Sequence, residues 1–119
     1  MFTPGHLHRA SLPGQPEFTV DLYYEVRHDA QEGAMLHMRL QGVVQGQAFE
    51  DTVELHRDTA FNFASVATRL AAKHGLQIPN GLIMHSHAEF DLMFEDIRQL
   101  LDAHPGDSVD LDHLEKDRL

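Results

Sequence analysis

Cysteine and tryptophan are absent from this 119-residue chain, and lysine and arginine together number only nine. Without cysteine the chain has no disulfides, no thiolate metal ligands and no thiol nucleophile, and its composition suits a reducing compartment. No hydrophobic run approaches the length of a membrane-spanning helix or of a signal peptide. We therefore expect a cytoplasmic protein that does not act at a membrane.

The few basic residues are scattered, whereas acidic residues are abundant. Nineteen acidic side chains give a formal net charge of −10, which repels phosphate backbones and anionic lipids. Protonation of all ten histidines would bring that formal charge from −10 to zero. The composition thus predicts no nucleic-acid partner and a surface whose charge responds strongly to mild acid.

Prolines and glycines divide the chain into three parts. Five of them lie near the start: Pro4, Gly5, Pro13, Gly14 and Pro16. They predict an N-terminal arm over residues 1–16, in which His6–Ala10 forms at most a short edge strand. Residues 17–106 carry regular hydrophobic patterns and have the length of one α+β domain, while 107–119 are an acidic C-terminal tail.

Three segments alternate apolar and polar residues with the period of two that is typical of half-buried strands. They begin at Phe18, Ala34 and Gln47, and Asp51 interrupts the apolar face of the third. Gln45-Gly46 has the length of a two-residue hairpin turn, and a five-residue loop over 29–33 keeps the first two apolar faces aligned. The resulting strand pairs are Val44 with Gln47, Gly42 with Phe49, His28 with Ala34 and Tyr24 with Met38.

This register brings polar side chains into two neighbouring rows on the outer face of the predicted sheet. Glu25, His37 and Glu54 form one row, and Tyr23, Arg39 and Thr52 form the next. Two carboxylates beside an imidazole favour its protonated form, so the first row predicts a pH-responsive patch centred on His37 or a weak metal site. Tyr23 and Arg39 beside it suit a small anion or a carbonyl. The alternative is a polar ladder that faces solvent.

Two helices follow the strands. Asp58 is the predicted N-cap of the first, which ends near His74 at the left-handed residue Gly75. Ser86 and Glu89 form a capping box at the start of the second, which ends by His104. The residues of the two apolar stripes are Phe63, Val66, Ala67 and Leu70, and Phe90, Met93, Phe94, Ile97, Leu100 and Leu101.

The most metal-like spacing lies at the start of the second helix. Glu89 follows His85 by four residues, and Asp91 follows His87 by four, so each pair shares one helix face. Imidazole with carboxylate suits zinc, iron or manganese. The alternative is a capped helix start with two exposed histidine–acid pairs, because the two pairs point apart and differ from the His-Glu-x-x-His motif.

Other catalytic and cofactor motifs are missing. The chain has no Gly-x-Ser-x-Gly elbow and no glycine-rich loop after a strand, so nothing predicts a nucleophile or a phosphate cradle. His6-x-His8 has ligand-like spacing, but an exposed arm does not hold ligands rigidly. Apart from the divalent metal considered above, we predict no cofactor, and the residues favour a non-enzymatic protein. The competing hypothesis is a small metal-binding protein or metal-dependent enzyme that uses the cluster His85, His87, Glu89 and Asp91.

Three stretches resemble those of a small pseudomonad protein family of unknown function. They are Leu22-Tyr23-Tyr24-Glu25-Val26-Arg27, the segment 54–65 from Glu54-Leu55-His56 to Phe63-Ala64-Ser65, and Met93-Phe94-Glu95-Asp96-Ile97-Arg98. The resemblance covers nearly the whole chain, and it implies one compact bacterial cytoplasmic domain. It implies no activity, cofactor or catalytic residue.

Together these observations predict an α+β fold: a three-stranded antiparallel meander, or four-stranded if the arm adds one, with two helices packed on one face. The leading functional hypothesis is a non-enzymatic binding or self-associating domain, with a homodimer favoured and any small ligand unidentified. Its interface would be the open sheet face or edge, which shows Tyr23, Met35 and Val43. Phe61 and Leu92, on the outer sides of the helices, offer a second interface.

Overall fold

Five strands form one antiparallel sheet in the order of the sequence. They are β1 (Phe2–Thr3), β2 (His6–Ala10), β3 (Phe18–Asp29), β4 (Gly33–Val44) and β5 (Gln47–His56). This computed structural model describes residues 2–11, 13–14, 17–76 and 87–102. The predicted count of three or four strands was too low, because the N-terminal arm supplies two. β2 is not an edge strand, since it lies between β1 and β3.

The predicted register of the three long strands is confirmed. Val44 lies opposite Gln47, and Tyr24 lies opposite Met38. At the second turn Gln45 and Gly46 have φ angles of 50° and 82°, the left-handed pair that a two-residue type I′ hairpin requires. The alternation of side chains then places every even-numbered apolar residue of β3 and β4 on the face that the helices cover.

The first helix begins later than predicted. Asp58 does not cap it, because Thr59 donates from both its backbone nitrogen and its Oγ1 to the His56 carbonyl and closes a turn there. A 3-10 turn over Ala60–Asn62 follows, and α1 spans Phe63–Lys73. Its end is as predicted: Gly75 has φ 88°, and the Leu76 nitrogen donates to the Ala71 carbonyl.

The second helix, α2, spans His87–Leu101. Met93, Ile97 and Leu101 are buried as predicted, but Leu100 is 50% exposed. The capping-box serine and the acidic tail predicted over 107–119 lie outside the described residues. Within the described part of the chain, neither helix is long and apolar enough to cross a membrane.

The core lies between the helix-facing side of the sheet and the two helices. Phe63 is fully buried, and the rings of Phe90 and Phe94 lie 5.7 and 6.2 Å from its ring. One polar link crosses this apolar layer: the Tyr24 hydroxyl donates to the Asp96 carboxylate over 2.5 Å. Burial, together with that carboxylate, raises the pKa of Tyr24 far above its ordinary value of 10.0.

Removal of this hydroxyl should destabilise the fold. A hydrogen bond to a charged group contributes about 1.5–3 kcal/mol, so we expect Tyr24→Phe to lower the free energy of unfolding by roughly that amount. Because folding raises the Tyr24 pKa, this contribution is present below pH 10.0 and is lost as the pH rises above it. Urea unfolding at neutral and at alkaline pH measures both effects.

Tyr23→Phe is the matched control, because no hydrogen bond of the Tyr23 hydroxyl is seen within the described residues. We expect it to change the unfolding free energy by less than about 0.5 kcal/mol. Equal effects of the two substitutions would show that the contact with Asp96 contributes no stability.

Candidate functional site

A cleft lies on the outer face of the sheet, the face away from α1 and α2. Its volume is about 300 Å³, and it is lined by Gly5, Tyr23, Tyr24, Glu25, Arg27, His37 and Arg39. Four of the five residues predicted for this face therefore line one cavity. The fifth, Glu54, lies directly opposite His37 on β5. Both predicted rows are confirmed by the strand register.

Tyr23 forms the centre of a stack that runs across three strands. On the β2 side, the His6 ring lies parallel to the Tyr23 ring at 4.4 Å, with an interplanar angle of 4°. On the β4 side, the guanidinium carbon of Arg39 lies 4.9 Å from the centroid of the same ring. A cation over a tyrosine ring is attracted by the ring quadrupole. Tyr23 thus holds the Arg39 guanidinium beside the cleft.

Asp21 holds the other end of this stack. His6 Nε2 donates to Asp21 Oδ1 over 2.7 Å, and His8 Nδ1 donates to the same oxygen over 2.9 Å. Burial acts to raise the pKa of Asp21, but these two hydrogen bonds outweigh it and hold the pKa below its ordinary value. The two arm histidines therefore lie in β2, within the short strand predicted there, and Asp21 fixes both of their rings.

Asp21 and His6, which support Tyr23 from β3 and β2, were not predicted from the sequence. His6 lies opposite Tyr23, and His8 lies opposite Asp21. The sequence did show that His6 and His8 lie two residues apart and would share one face of a strand. It did not show which residues of β3 they face, because the proline- and glycine-rich connection does not fix the pairing of β2 with β3.

His37 presents one buried ring nitrogen and one accessible one. Its Nδ1 is buried without a hydrogen-bond partner and lies 4.0 Å from Glu54 Oε1. A small rotation of the Glu54 side chain would bring the two atoms within hydrogen-bond distance. Nδ1 would then donate to Glu54, and Nε2 would be the nitrogen that a ligand meets. The pH-responsive patch centred on His37 stays a prediction.

The charges in the cleft do not cancel. Glu25 accepts from Arg27 over 2.7 Å, so these two side chains neutralise each other. Arg39 has no ion pair within the described residues, and its guanidinium lies over the Tyr23 ring. With two arginines and one glutamate, the formal charge of the cleft is +1 when His37 is neutral. Glu54, which lies 4.0 Å from His37 beside the lining, carries one further negative charge, so the positive charge is local to Arg39.

The predicted metal ligands at the start of α2 are only partly described. His85 lies outside the described residues, as does the side chain of His87. Glu89 accepts from Arg9 Nη1 over 2.9 Å, while Asp91 is exposed. Within the described part of the chain, no group of three or more histidine, aspartate and glutamate side chains has the arrangement of a metal site.

Comparisons with known proteins place the fold but assign no activity. Residues 1–114 match a family model described as Domain of unknown function (DUF5064). The chain is also similar to a solution structure of an uncharacterized protein from Pseudomonas aeruginosa. That likeness has 52% sequence identity and a TM-score of 0.76, and it covers 98% of this chain and 94% of the other. No curated protein matches the chain. The resemblance predicted from the sequence is thereby confirmed.

Proposed function

The chain belongs to the DUF5064 family, a domain of unknown function, and we propose that it is a non-enzymatic binding domain whose outer-face cleft takes a small organic monocarboxylate. The observation that carries this proposal is the state of Arg39. Its guanidinium lies beside a cavity of about 300 Å³, is held there by Tyr23, and has no carboxylate partner within the described residues. A guanidinium presents a planar fork of donors that matches a carboxylate.

The charge and size of the cleft favour a monocarboxylate over a phosphate. One unpaired arginine supplies a single positive charge, whereas phosphate sites usually combine several cations or backbone amides. The cavity is at the lower end of the range of small-molecule sites, roughly 300–1,000 Å³. A ligand of the size of benzoate fits these limits better than a nucleotide does.

His37 and Glu25 supply further recognition in the same cleft. With Nδ1 turned toward Glu54, a protonated His37 can donate from Nε2 to the second oxygen of the carboxylate. Glu25 is an acceptor for a hydroxyl or amino group elsewhere on the ligand. No residue of the cleft is placed as a nucleophile, which is why the proposal is binding and not catalysis. We place this function in the cytoplasm, in keeping with the cysteine-free composition.

Thermal unfolding with benzoate and with benzamide tests the proposal. The two probes share a ring and a size, but only benzoate carries a carboxylate. A ligand that binds the folded state raises its Tm, so at matched ionic strength we expect benzoate to raise the Tm and benzamide to leave it unchanged. Equal effects of the two probes, or none from benzoate, would contradict the proposal.

A second proposal is self-association through the helix side of the molecule. Of the three residues predicted to make the outer sheet face apolar, Val43 is 40% exposed, but Met35 is 8% exposed and Tyr23 is partly covered by the stack. Phe61, Leu92 and Leu100 are instead 56%, 60% and 50% exposed, and the 3-10 turn that carries Phe61 contacts α2. Large exposed apolar side chains on neighbouring elements commonly contribute to an interface between copies of a chain.

We expect the protein to be a homodimer that the double substitution Phe61→Ser and Leu92→Ser converts to a monomer. Light scattering during gel filtration measures the mass, which would fall from twice 13.5 kDa to that value. Val43→Ser on the opposite face is the control and should leave the dimer intact. A monomeric parent protein, or a dimer that only Val43→Ser disrupts, would overturn this interface.

A further inference from the structure

The outer edge of β5, which is ten residues long, pairs with no strand among the described residues. β5 spans Gln47–His56 and pairs only with β4 within the described part of the chain. The opposite edge of the sheet ends in β1, which has two residues. Long edge strands present unpaired backbone donors and acceptors that can pair with another extended segment. The β5 edge is therefore the place where this sheet can grow.

Three hydrogen bonds show which backbone groups face outward. Val44 and Gln47 close a two-residue hairpin, which makes them a hydrogen-bonded pair, and the Arg57 nitrogen donates to the Ala34 carbonyl of β4. Odd-numbered residues of β5 thus point their backbone groups to β4. The Thr52 nitrogen donates to a side chain, Asp51 Oδ1, over 2.9 Å. The even-numbered residues Ala48, Glu50, Thr52 and Glu54 consequently face the open edge.

Asp51 covers the middle of this edge. Its Oδ1 accepts from Thr52, while its Oδ2 accepts from His74 Nε2 over 2.9 Å and from Lys73 Nζ over 3.2 Å. The His74 ring is itself stacked on Phe49 at 4.6 Å. These contacts explain why an aspartate interrupts the apolar face of the strand. One oxygen anchors the side chain to the end of α1, and the other shields one outward donor, as edge strands of soluble proteins require.

The side chains along the edge favour a partner of one charge. Glu50 and Glu54 are exposed and extend from the outward-facing residues, whereas Lys73 is engaged by Asp51. Opposite charges on adjacent antiparallel strands attract, and like charges repel. A second copy of β5 would bring acidic side chains to face acidic side chains. Charge complementarity therefore points to a basic partner and away from a β5–β5 dimer.

We propose that the β5 edge is a docking site for an extended basic segment of a partner protein, which adds a sixth strand to the sheet. The partner strand would pair with the outward backbone groups of Glu50 and Glu54 and displace Asp51 Oδ1 from the Thr52 nitrogen. Backbone pairing would supply the affinity, and lysine or arginine beside the two glutamates would supply the selectivity. This edge adjoins the monocarboxylate cleft, because Glu54 also lies 4.0 Å from His37, but it binds through the backbone groups of β5.

A peptide as long as β5, ten residues of alternating lysine and valine with blocked ends, is the probe. Its matched control is the same peptide with alternate backbone nitrogens methylated, which keeps the charge but removes the edge donors. Fluorescence anisotropy measures both affinities. We expect the unmethylated peptide to bind at least about tenfold more tightly, because several backbone hydrogen bonds are lost by methylation. Equal affinities would mean attraction by charge alone and would overturn the proposal.

Substitutions in β5 test the location of the site. Thr52→Pro removes an outward donor that β4 does not use, so the sheet should fold while peptide affinity falls about tenfold. Thr52→Val keeps the donor and should bind as the parent protein does. Glu50→Gln should weaken binding of the lysine peptide by a few-fold. Unchanged affinity in both Thr52→Pro and Glu50→Gln would place the peptide elsewhere.

Amide hydrogen exchange provides a readout that does not depend on a variant. In the free protein we expect fast exchange at Glu50 and Glu54, and slow exchange once the lysine peptide is bound. Slow exchange in the free protein would show that another part of this chain or a second copy already covers the edge. Slow exchange in the free protein would therefore overturn the proposal that a partner strand binds at this edge.

Discussion

Replacement of Arg39 by glutamine should lower the affinity for benzoate by at least about tenfold. A hydrogen bond to a charged group contributes about 1.5–3 kcal/mol, and each 1.4 kcal/mol is a factor of ten in affinity. Arg39 is the cation of the cleft that is not already neutralised, since Arg27 is paired with Glu25. Isothermal titration of the parent protein and the variant measures the loss.

Two further variants separate the local effect from the general effect of charge. Arg98→Gln removes the same charge from α2, where Arg98 is paired with Glu95 over 2.7 Å, and it should leave benzoate affinity unchanged. Arg39→Lys keeps the charge but loses the planar fork, so its affinity should fall between those of the parent and Arg39→Gln. An equal loss in Arg98→Gln and Arg39→Gln would mean that benzoate senses only the net charge.

Replacement of Gly42 by alanine should destabilise the fold by about 3 kcal/mol or more. Gly42 lies in β4 between Val20 of β3 and Phe49 of β5. A Cβ at this position would overlap the Thr19 carbonyl oxygen and lie 3.0 Å from the Val20 Cα. Both obstacles are backbone atoms, so relief requires β3 and β4 to separate. The large cost is notable because alanine in a strand is otherwise favoured over glycine.

Gly46→Ala is the matched control for this prediction. Gly46 has φ 82° but nothing within 4 Å of an added Cβ, so its substitution should cost only the strain of a left-handed residue, about 1–2 kcal/mol. Urea unfolding of both variants gives the comparison. A smaller effect for Gly42→Ala than for Gly46→Ala would contradict the close approach of the two strands.

The central strands were predictable because two independent constraints agreed. The type I′ turn at Gln45-Gly46 limits the pairing of β4 with β5, and the apolar alternation of both strands rejects a slip by one residue. The rows that contain His37 and Arg39 followed from that register alone. The sequence can thus predict which residues lie opposite each other across a sheet when the turn length and the apolar alternation require the same register.

The short strand predicted at His6–Ala10 is present as β2, but its pairing was not predictable, for the complementary reason. β2 is short, and the connection to β3 contains Pro13 and Gly14 without a turn of defined length. The place of β2 in the sheet depends on contacts between residues that are distant in the sequence, including the hydrogen bonds of His6 and His8 to Asp21. The support that holds Arg39 through Tyr23 was therefore missed, although Arg39 itself was predicted.

At the start of α1, tertiary contacts also outweighed the N-cap propensity of the local sequence. Asp58 has the character of an N-cap, but Thr59 is fully buried and binds the His56 carbonyl, so the chain turns before the helix begins. Leu100 shows the opposite case, because it continues an apolar stripe in the sequence and yet is half exposed. Because the neighbouring Leu101 is buried, Leu100 lies at the margin of the buried face of α2, and helical spacing alone did not reveal that margin.

The monocarboxylate site is tested most directly by an NMR titration that follows the Arg39 Nε–Hε signal and the His37 ring signals as benzoate is added. We predict that both move with one saturating dependence on benzoate, together with the backbone amides of Glu25 and Arg27. The Arg98 side-chain signal should not move. Shifts of Arg98 as large as those of Arg39, or shifts confined to the helices, would contradict a monocarboxylate site in the outer-face cleft.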